Sequence, residues 1–86
     1  MIIQYTKQAQ KDLKRLPRNE REKIIDKINI LADDSSTLAN NIKQLQGLEE
    51  TYSLRVGQYR VIYSQDGVIL SVIHIGVRGE IYRRLV

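Results

Sequence analysis

After Lys43, all of the permanent positive charge in this sequence is carried by arginine. These arginines are Arg55, Arg60, Arg78, Arg83 and Arg84, whereas every lysine lies at or before position 43. A guanidinium presents a fixed fork of N–H donors that matches phosphate oxygens, while lysine suits a solvated helix surface. The net charge of +4 fits a polyanionic partner, although a solvated basic surface would explain the charge alone. Anion chemistry is therefore expected in the second half of the chain.

Arg60 is the most informative of these arginines because it lies inside a predicted strand. Period-two alternation puts Tyr59, Val61 and Tyr63 on one face of that strand and Arg60, Ile62 and Ser64 on the other. An arginine between apolar neighbours needs an anion or a position at the rim of the sheet. A structural ion pair with Glu49, Glu50 or Glu80 is the alternative, and the sequence leaves both open. Arg55 on the preceding strand and Arg78 after the following strand are expected to converge with Arg60.

Three consecutive strands are predicted to position these arginines. They span residues 52–56, 59–65 and 68–77, and they are separated by Gly57-Gln58 and Asp66-Gly67, which are typical of two-residue hairpin turns. Two tight turns indicate an antiparallel meander. Its apolar face must be covered by the first half of the chain.

The first half is predicted to form a short strand and two helices. The strand is residues 2–5, the first helix is residues 7–16 with Thr6 as its N-cap, and the second is residues 19–32 with Asn19 and Glu22 as a reciprocal cap. Pro17 separates the helices, and the turn formers at residues 33–37 and 40–41 predict a loop leading to Ile42. The expected fold is α+β, with the order β-α-α-β-β-β and a helix hairpin on a four-stranded, mainly antiparallel sheet. Residues 1–86 form a single domain in this interpretation.

Composition excludes several kinds of site and location. The sequence has no cysteine and one histidine, so disulfides and thiolate metal sites are excluded and a zinc site is improbable. We expect no metal and no cofactor. No apolar run approaches the ~20 residues of a membrane span, and the N-terminus lacks the layout of a signal peptide. A cytoplasmic location is expected.

Four segments of the sequence together resemble the RelE/ParE toxin superfamily, and the resemblance covers essentially the whole chain. The segments are Leu45-Gln46-Gly47, residues 52–63, Ile75-Gly76-Val77-Arg78 and Glu80-Ile81-Tyr82. The resemblance implies the toxin of a type II toxin-antitoxin pair, with an acidic antitoxin as its partner in a hetero-oligomer. In the RelE branch it implies metal-independent cleavage of mRNA at the ribosome, by attack of the ribose 2′-hydroxyl on the adjacent phosphate.

The same resemblance implies roles for individual residues. Arg60 and Arg78 match the arginines that hold the phosphate, and Tyr82 matches a tyrosine near the C-terminus that is the best candidate base, or else packs at the sheet rim. Arg55 and Ser53 stand where that branch often has lysines, and Gln46 replaces a basic residue. Arg55 is a poor base because a guanidinium keeps its proton. Lys43, Arg83 and Arg84 are candidate contacts to the RNA backbone.

The sequence also fits two other functions, and it contains one histidine that could transfer protons. A ParE-like toxin would share the fold but bind and poison DNA gyrase, without ribonuclease residues. A basic binding module would fit the composition but leaves the arginines of the meander unexplained. His74 has a side chain suited to proton transfer, yet its place within an apolar strand favours a satisfied structural histidine.

Overall fold

A five-stranded mixed sheet and two α-helices make up the computed structural model, which describes residues 1–77. The elements in chain order are β1 (Ile2–Tyr5), α1 (Lys7–Lys14), α2 (Arg18–Asp33), a 3₁₀ segment (Ser35–Asn41), β2 (Ile42–Gln44), β3 (Thr51–Val56), β4 (Tyr59–Gln65) and β5 (Ile69–Val77). The strand order across the sheet is β1-β5-β4-β3-β2. The predicted α+β class is confirmed, but the predicted number of four strands is wrong.

The fifth strand is β2, which the sequence did not reveal. It is only three residues long and runs antiparallel to the edge of β3, with Ile42 opposite Leu54 and Gln44 opposite Tyr52. Three residues are too few to show a period of two, so its extended shape depends on pairing with β3. The 3₁₀ segment before it was predicted to be a loop. Its first turn is held by Asp34, whose side chain accepts a hydrogen bond from Ser36 N.

The helix boundaries follow local hydrogen bonding. Thr6 caps α1 as predicted, because its hydroxyl accepts a hydrogen bond from Ala9 N at 3.1 Å. The helix ends at Lys14, two residues before the predicted end. The amides of Arg15 and Leu16 donate hydrogen bonds to the carbonyls three residues before them, and not four as in an α-helix. The predicted Asn19 cap is wrong. Pro17 occupies the cap position of α2, and its carbonyl accepts the first helical bond, from Arg21 N at 2.9 Å.

The meander of β3, β4 and β5 is antiparallel, as predicted. The Gly57-Gln58 turn has two residues, with Gly57 at φ 59°. The second turn has three residues, 66–68, instead of the predicted two. Gly67 has φ 91°, and the Asp66 carboxylate accepts hydrogen bonds from Val68 N at 2.8 Å and Ile69 N at 2.7 Å. This capping by Asp66 draws Val68 out of the strand.

One face of the sheet packs with the helices to form the hydrophobic core. The core residues are Ala9 and Leu13 of α1, Ile24, Ile28, Leu31 and Ala32 of α2, Leu38, and Leu54, Tyr59, Val61, Tyr63, Leu70, Val72 and Ile75 of the sheet. Successive strand residues point to opposite faces. The alternate residues of β3, β4 and β5 therefore lie on the face turned away from the helices. Neither of the two described helices is long and apolar enough to cross a membrane.

The edge of β5 is shared between a strand and a helix. β1 runs parallel to β5 and pairs with it only from Ile69 to Val72. Beyond that point the chain leaves the sheet, and α1 lies against β5 instead. A register shift between β4 and β5 places Ile62 opposite His74 and Tyr63 opposite Val72, which leaves the intervening Ile73 as a bulge. The Thr6 hydroxyl donates to the carbonyl of Ile73 at 2.8 Å and so holds the bulge.

Candidate anion-binding site

The sheet face turned away from the helices carries a group of mostly polar and basic side chains, with the buried Ile62 among them, that we call the arginine face. It consists of Lys43 on β2, Ser53 and Arg55 on β3, Arg60 and Ile62 on β4, and His74 on β5. Cross-strand pairing defines this set, because directly opposed residues of neighbouring strands share a face. The arginine face therefore combines three of the predicted site residues.

Arg55 and Arg60 are direct cross-strand partners. The two-residue turn aligns Val56 with Tyr59, and the next pair along the hairpin is Arg55 opposite Arg60. Arg55 is exposed and Arg60 is half-buried. Side chains of directly opposed residues have Cβ atoms about 4.5–5.5 Å apart, and like charges in this arrangement destabilise the sheet. The convergence predicted for these two arginines is thus present in the backbone register.

No carboxylate neutralises these two arginines within residues 1–77. The ion pairs found there are Arg18 with Glu22, at 3.1 Å, and Asp12 with His74, at 3.9 Å. Glu49 and Glu50 precede β3, at the end of that strand away from Arg55, and neither pairs with Arg60. Glu80 lies outside the described residues. Two guanidinium groups side by side, without a carboxylate partner in residues 1–77, form a suitable site for an anion with several oxygens.

Lys43 lies on the same face, one cross-strand pair away from the arginines. It is opposite Ser53, two residues before Arg55, and its side chain is exposed. The structure therefore brings Lys43, Arg55 and Arg60 together. Four other predicted site residues, Arg78, Tyr82, Arg83 and Arg84, lie outside the described residues.

Acidic residues collect at the other end of the strands. A cavity of about 550 Å³ there is lined by Asp33, Asp34, Glu50 and Asp66, among others. Hydrogen bonds from Ser36 lower the pKa of Asp34, and hydrogen bonds from the amides of Ile69 and Val68 lower the pKa of Asp66. These carboxylates therefore stay ionised at neutral pH. The two ends of the meander carry charge of opposite sign.

The four tyrosines of the described region belong to the core side of the sheet. Tyr59 and Tyr63 are buried in the core, and Tyr5 and Tyr52 pack against it. The rings of Tyr52 and Tyr63 stack with their centroids 5.5 Å apart. Burial, with a smaller contribution from Tyr52, raises the pKa of Tyr63 to about 12, and burial also raises the pKa of Tyr5. The phenols of Tyr5 and Tyr63 therefore stay neutral and cannot act as bases.

Asp12 is a buried charged residue that the sequence interpretation missed. Its side chain is 2% exposed, and its carboxylate accepts hydrogen bonds from Gln8 Nε2 and from Ile75 N of β5, both at 3.0 Å. The second bond satisfies an amide on the stretch of β5 that β1 does not reach. A signal was available, because Asp12 stands at helical spacing from Ala9 and next to Leu13 on the face of α1 predicted to be buried.

His74 lies beside Asp12 at the margin of the arginine face. Its Nδ1 atom is 3.9 Å from Asp12 Oδ2, too far for a hydrogen bond. That nitrogen is buried and has no hydrogen-bond partner within residues 1–77. The prediction of a satisfied structural histidine is therefore wrong at Nδ1.

Comparisons with known proteins agree with this architecture. Residues 3–82 match the model of the family described as ParE toxin of the type II toxin-antitoxin system parDE. Among solved structures, the RelB-RelE antitoxin-toxin complex from Methanococcus jannaschii is similar at 26% identity and TM-score 0.75, over 92% of this chain and 94% of that chain. The RelE-RelB complex from Pyrococcus horikoshii OT3 is similar at 25% identity and TM-score 0.76, over 91% and 94%.

A more distant structure shares the fold alone. YafQ from Escherichia coli strain BL21(DE3) is 17% identical with TM-score 0.77, over 93% of this chain and 96% of that chain. None of the curated proteins matches the sequence. The family match extends over nearly the whole chain and includes both helices, strands β2 to β5 and all but the first residue of β1. The protein belongs to the ParE toxin family within the RelE/ParE superfamily, and it is the toxin of a type II toxin-antitoxin system.

Proposed function

We propose that this toxin is a metal-independent endoribonuclease that cleaves mRNA at the ribosome and so inhibits translation. The observation that carries the proposal is the direct opposition of Arg55 and Arg60, with no carboxylate partner within residues 1–77. Two adjacent guanidinium groups that no carboxylate of residues 1–77 compensates are costly unless an anion binds between them. A phosphodiester supplies that anion.

The reaction is an attack of the ribose 2′-oxygen on the adjacent phosphorus. The O2′–P bond forms, the P–O5′ bond breaks, and a phosphorane with increased negative charge lies between the two states. Arg60, which is half-buried and lies within β4, would donate hydrogen bonds that strengthen as this charge develops. Arg55 would share the phosphate oxygens or bind the neighbouring phosphate.

The remaining roles follow from the likeness to the RelE branch. Arg78 would hold the same phosphate from the chain after β5, and the Tyr82 hydroxyl would give or take a proton. Lys43 lies along the same face and would bind the RNA backbone, with Arg83 and Arg84 as further contacts. None of these side chains needs a metal ion for its role.

Cleavage of mRNA on programmed ribosomes tests the proposal. Arg60→Ala and Arg78→Ala should each slow cleavage roughly 10²- to 10³-fold, the usual cost of losing one preorganised donor. Tyr82→Phe should lose on the order of 10²-fold. Arg18→Ala is the matched control, because Arg18 is exposed on α2 and pairs with Glu22. Parental rates in well-folded Arg60 and Arg78 variants would refute the assignment.

Poisoning of DNA gyrase without ribonuclease activity is the second candidate, and the match to the ParE family model favours it. Expression of the toxin in cells, followed by mapping of RNA 5′ ends and of gyrase-linked DNA breaks, separates the two. Cleavage ends within translated codons support the ribonuclease. Gyrase-linked breaks with intact messages would replace it with the ParE-like activity.

An acidic antitoxin is the proposed protein partner. A cavity of about 630 Å³ between β1, α1 and α2 has Ile3, Tyr5, Leu13 and Ile25 in its lining and two cations, Lys14 and Arg21, beside them. An amphipathic segment with acidic flanks fits this combination of apolar floor and basic rim. The antitoxin complexes of the two archaeal RelE proteins support a partner of this kind.

Charge complementarity predicts how the antitoxin should bind. The double variant Lys14→Glu with Arg21→Glu should slow association, and added salt should slow association of the parent. Lys23→Glu is the control, since Lys23 lies on α2 outside the cavity lining. Association rates that change neither in the double variant nor with ionic strength would contradict the proposal of an acidic partner.

A further inference from the structure

The proposed ribonuclease still needs a group that accepts the 2′-hydroxyl proton, and the described residues offer few. Arginine keeps its proton at any ordinary pH, so Arg55 and Arg60 cannot serve. Burial holds the phenols of Tyr5 and Tyr63 neutral. His74 is the only histidine in the sequence, and imidazole is the side chain best suited to proton transfer near neutral pH.

The backbone places His74 next to the arginine pair. His74 is directly opposite Ile62 on β4, and Arg60 is opposite Gly76, so His74 and Arg60 are diagonal cross-strand neighbours on one face. Diagonal neighbours lie about 7–8 Å apart, so the side chains of Arg60 and His74 can both reach the same phosphodiester. The bulge at Ile73 immediately precedes His74, and bulges beside active sites re-aim side chains.

The buried edge of the His74 ring faces a fixed carboxylate. Asp12 Oδ2 lies 3.9 Å from Nδ1, and Asp12 is itself held by Gln8 Nε2 and Ile75 N. The His74 side chain is 20% exposed although its Nδ1 is buried, so the exposure belongs to other atoms of the side chain. Hydrogen bonds of catalytic groups are often long before substrate binds and shorten in the complex.

We propose that His74 is the general base of the cleavage and that Asp12 is the positioning residue for its ring. The inference rests on the proposed ribonuclease function. Nε2 takes the proton of the 2′-hydroxyl as the O2′–P bond forms, and the 5′-oxygen released as the P–O5′ bond breaks takes a proton from solvent water. Asp12 stabilises the imidazolium that results. In the described region, the charged groups nearest the ring are Asp12 from α1, at 3.9 Å, and Arg60 of β4, the diagonal cross-strand neighbour of His74.

Single-turnover cleavage of ribosome-bound mRNA by the full-length toxin, measured across a range of pH, tests the inference. His74→Ala should cut about 10²-fold more slowly, should lose a limb of the pH–rate profile, and should regain part of its rate with added imidazole. Asp12→Asn removes the charge and keeps one acceptor oxygen for Ile75 N, while the second acceptor, which Gln8 Nε2 uses, is lost. It should slow cleavage less than His74→Ala does and should change the pH–rate profile, which a purely structural side chain would leave unchanged.

Several controls separate the possible failures. Arg18→Ala should match the parent, and His74→Gln replaces His74→Ala if the alanine variant does not fold. Parental cleavage by a folded His74 variant, with Arg60→Ala inactive in the same assay, would overturn this inference and leave the proposed function standing. A loss in His74→Ala without imidazole rescue or a changed pH profile would also overturn it. If the parent does not cleave mRNA at all, the proposed function fails and the inference falls with it.

Discussion

Removal of one arginine from the Arg55–Arg60 pair should stabilise the free protein while it impairs activity. The two residues are directly opposed on β3 and β4, and no carboxylate within residues 1–77 compensates them. Two unit charges about 6 Å apart, at an effective dielectric constant of roughly 40 to 80, repel each other by about 0.7 to 1.4 kcal/mol. Arg55→Gln removes this repulsion and keeps a polar side chain at an exposed position.

The assay is thermal unfolding of parent and variant without bound anion, at low and at high salt. A gain of about 1 kcal/mol corresponds to a rise in Tm of about 4–8 °C for a domain of this size. The gain should shrink as salt screens the repulsion, and inorganic phosphate should raise the Tm of the parent more than that of the variant. Arg18→Gln is the control, because it removes an exposed pair with Glu22 and should change stability by less than about 1 kcal/mol. An Arg55→Gln variant that melts below the parent at low salt would refute the reasoning.

Three further predictions concern stability. Asp12→Ala should lower the free energy of unfolding by roughly 1–3 kcal/mol, since the buried Ile75 amide loses its acceptor, and an unchanged urea midpoint would contradict this. The pKa of Tyr63 is about 12 in the folded state, against about 10 for an ordinary tyrosine. The stabilisation of the folded state that comes from this difference is therefore complete below pH ~10 and is lost as the pH rises toward 12. Tyr63→Phe should therefore lessen the loss of stability in alkaline titrations, and identical parent and variant curves would exclude this cause. Gly67→Ala should lower the free energy of unfolding by about 1–2 kcal/mol because Gly67 has φ 91°. An unchanged midpoint in chemical denaturation would contradict this prediction.

The sheet meander was predictable because its signals are local. Strand β4 begins and ends at the predicted residues, and β3 and β5 each begin within one residue of the predicted start. Alternating residues and a glycine with positive φ at each turn carry this information. The opposition of Arg55 and Arg60 follows from the same two-residue turn, so the register of the site was implicit in the sequence.

Other features depend on contacts between distant segments. Strand β2 is extended because it pairs with β3, and its three residues show no pattern of their own. The predicted cap of α2 was wrong because the helix begins at Arg18, with Pro17 and its fixed φ at the cap position, so that Asn19 already lies inside the helix. One partner of Asp12 is Ile75, 63 positions away in the sequence, and no local rule joins these two residues.

Helix α1 connects the stability of the fold to the arginine face. Because β1 stops at Tyr5, the remaining length of β5 takes its edge contacts from α1, through the Thr6 hydroxyl at Ile73 and the Asp12 carboxylate at Ile75. His74 lies between those two anchored residues, so its position on the face depends on both contacts. Asp12→Ala disturbs the anchor and the charge together, whereas Asp12→Asn disturbs mainly the charge. A comparison of the two variants in unfolding and in cleavage therefore separates the structural duty of this carboxylate from its proposed effect on the histidine.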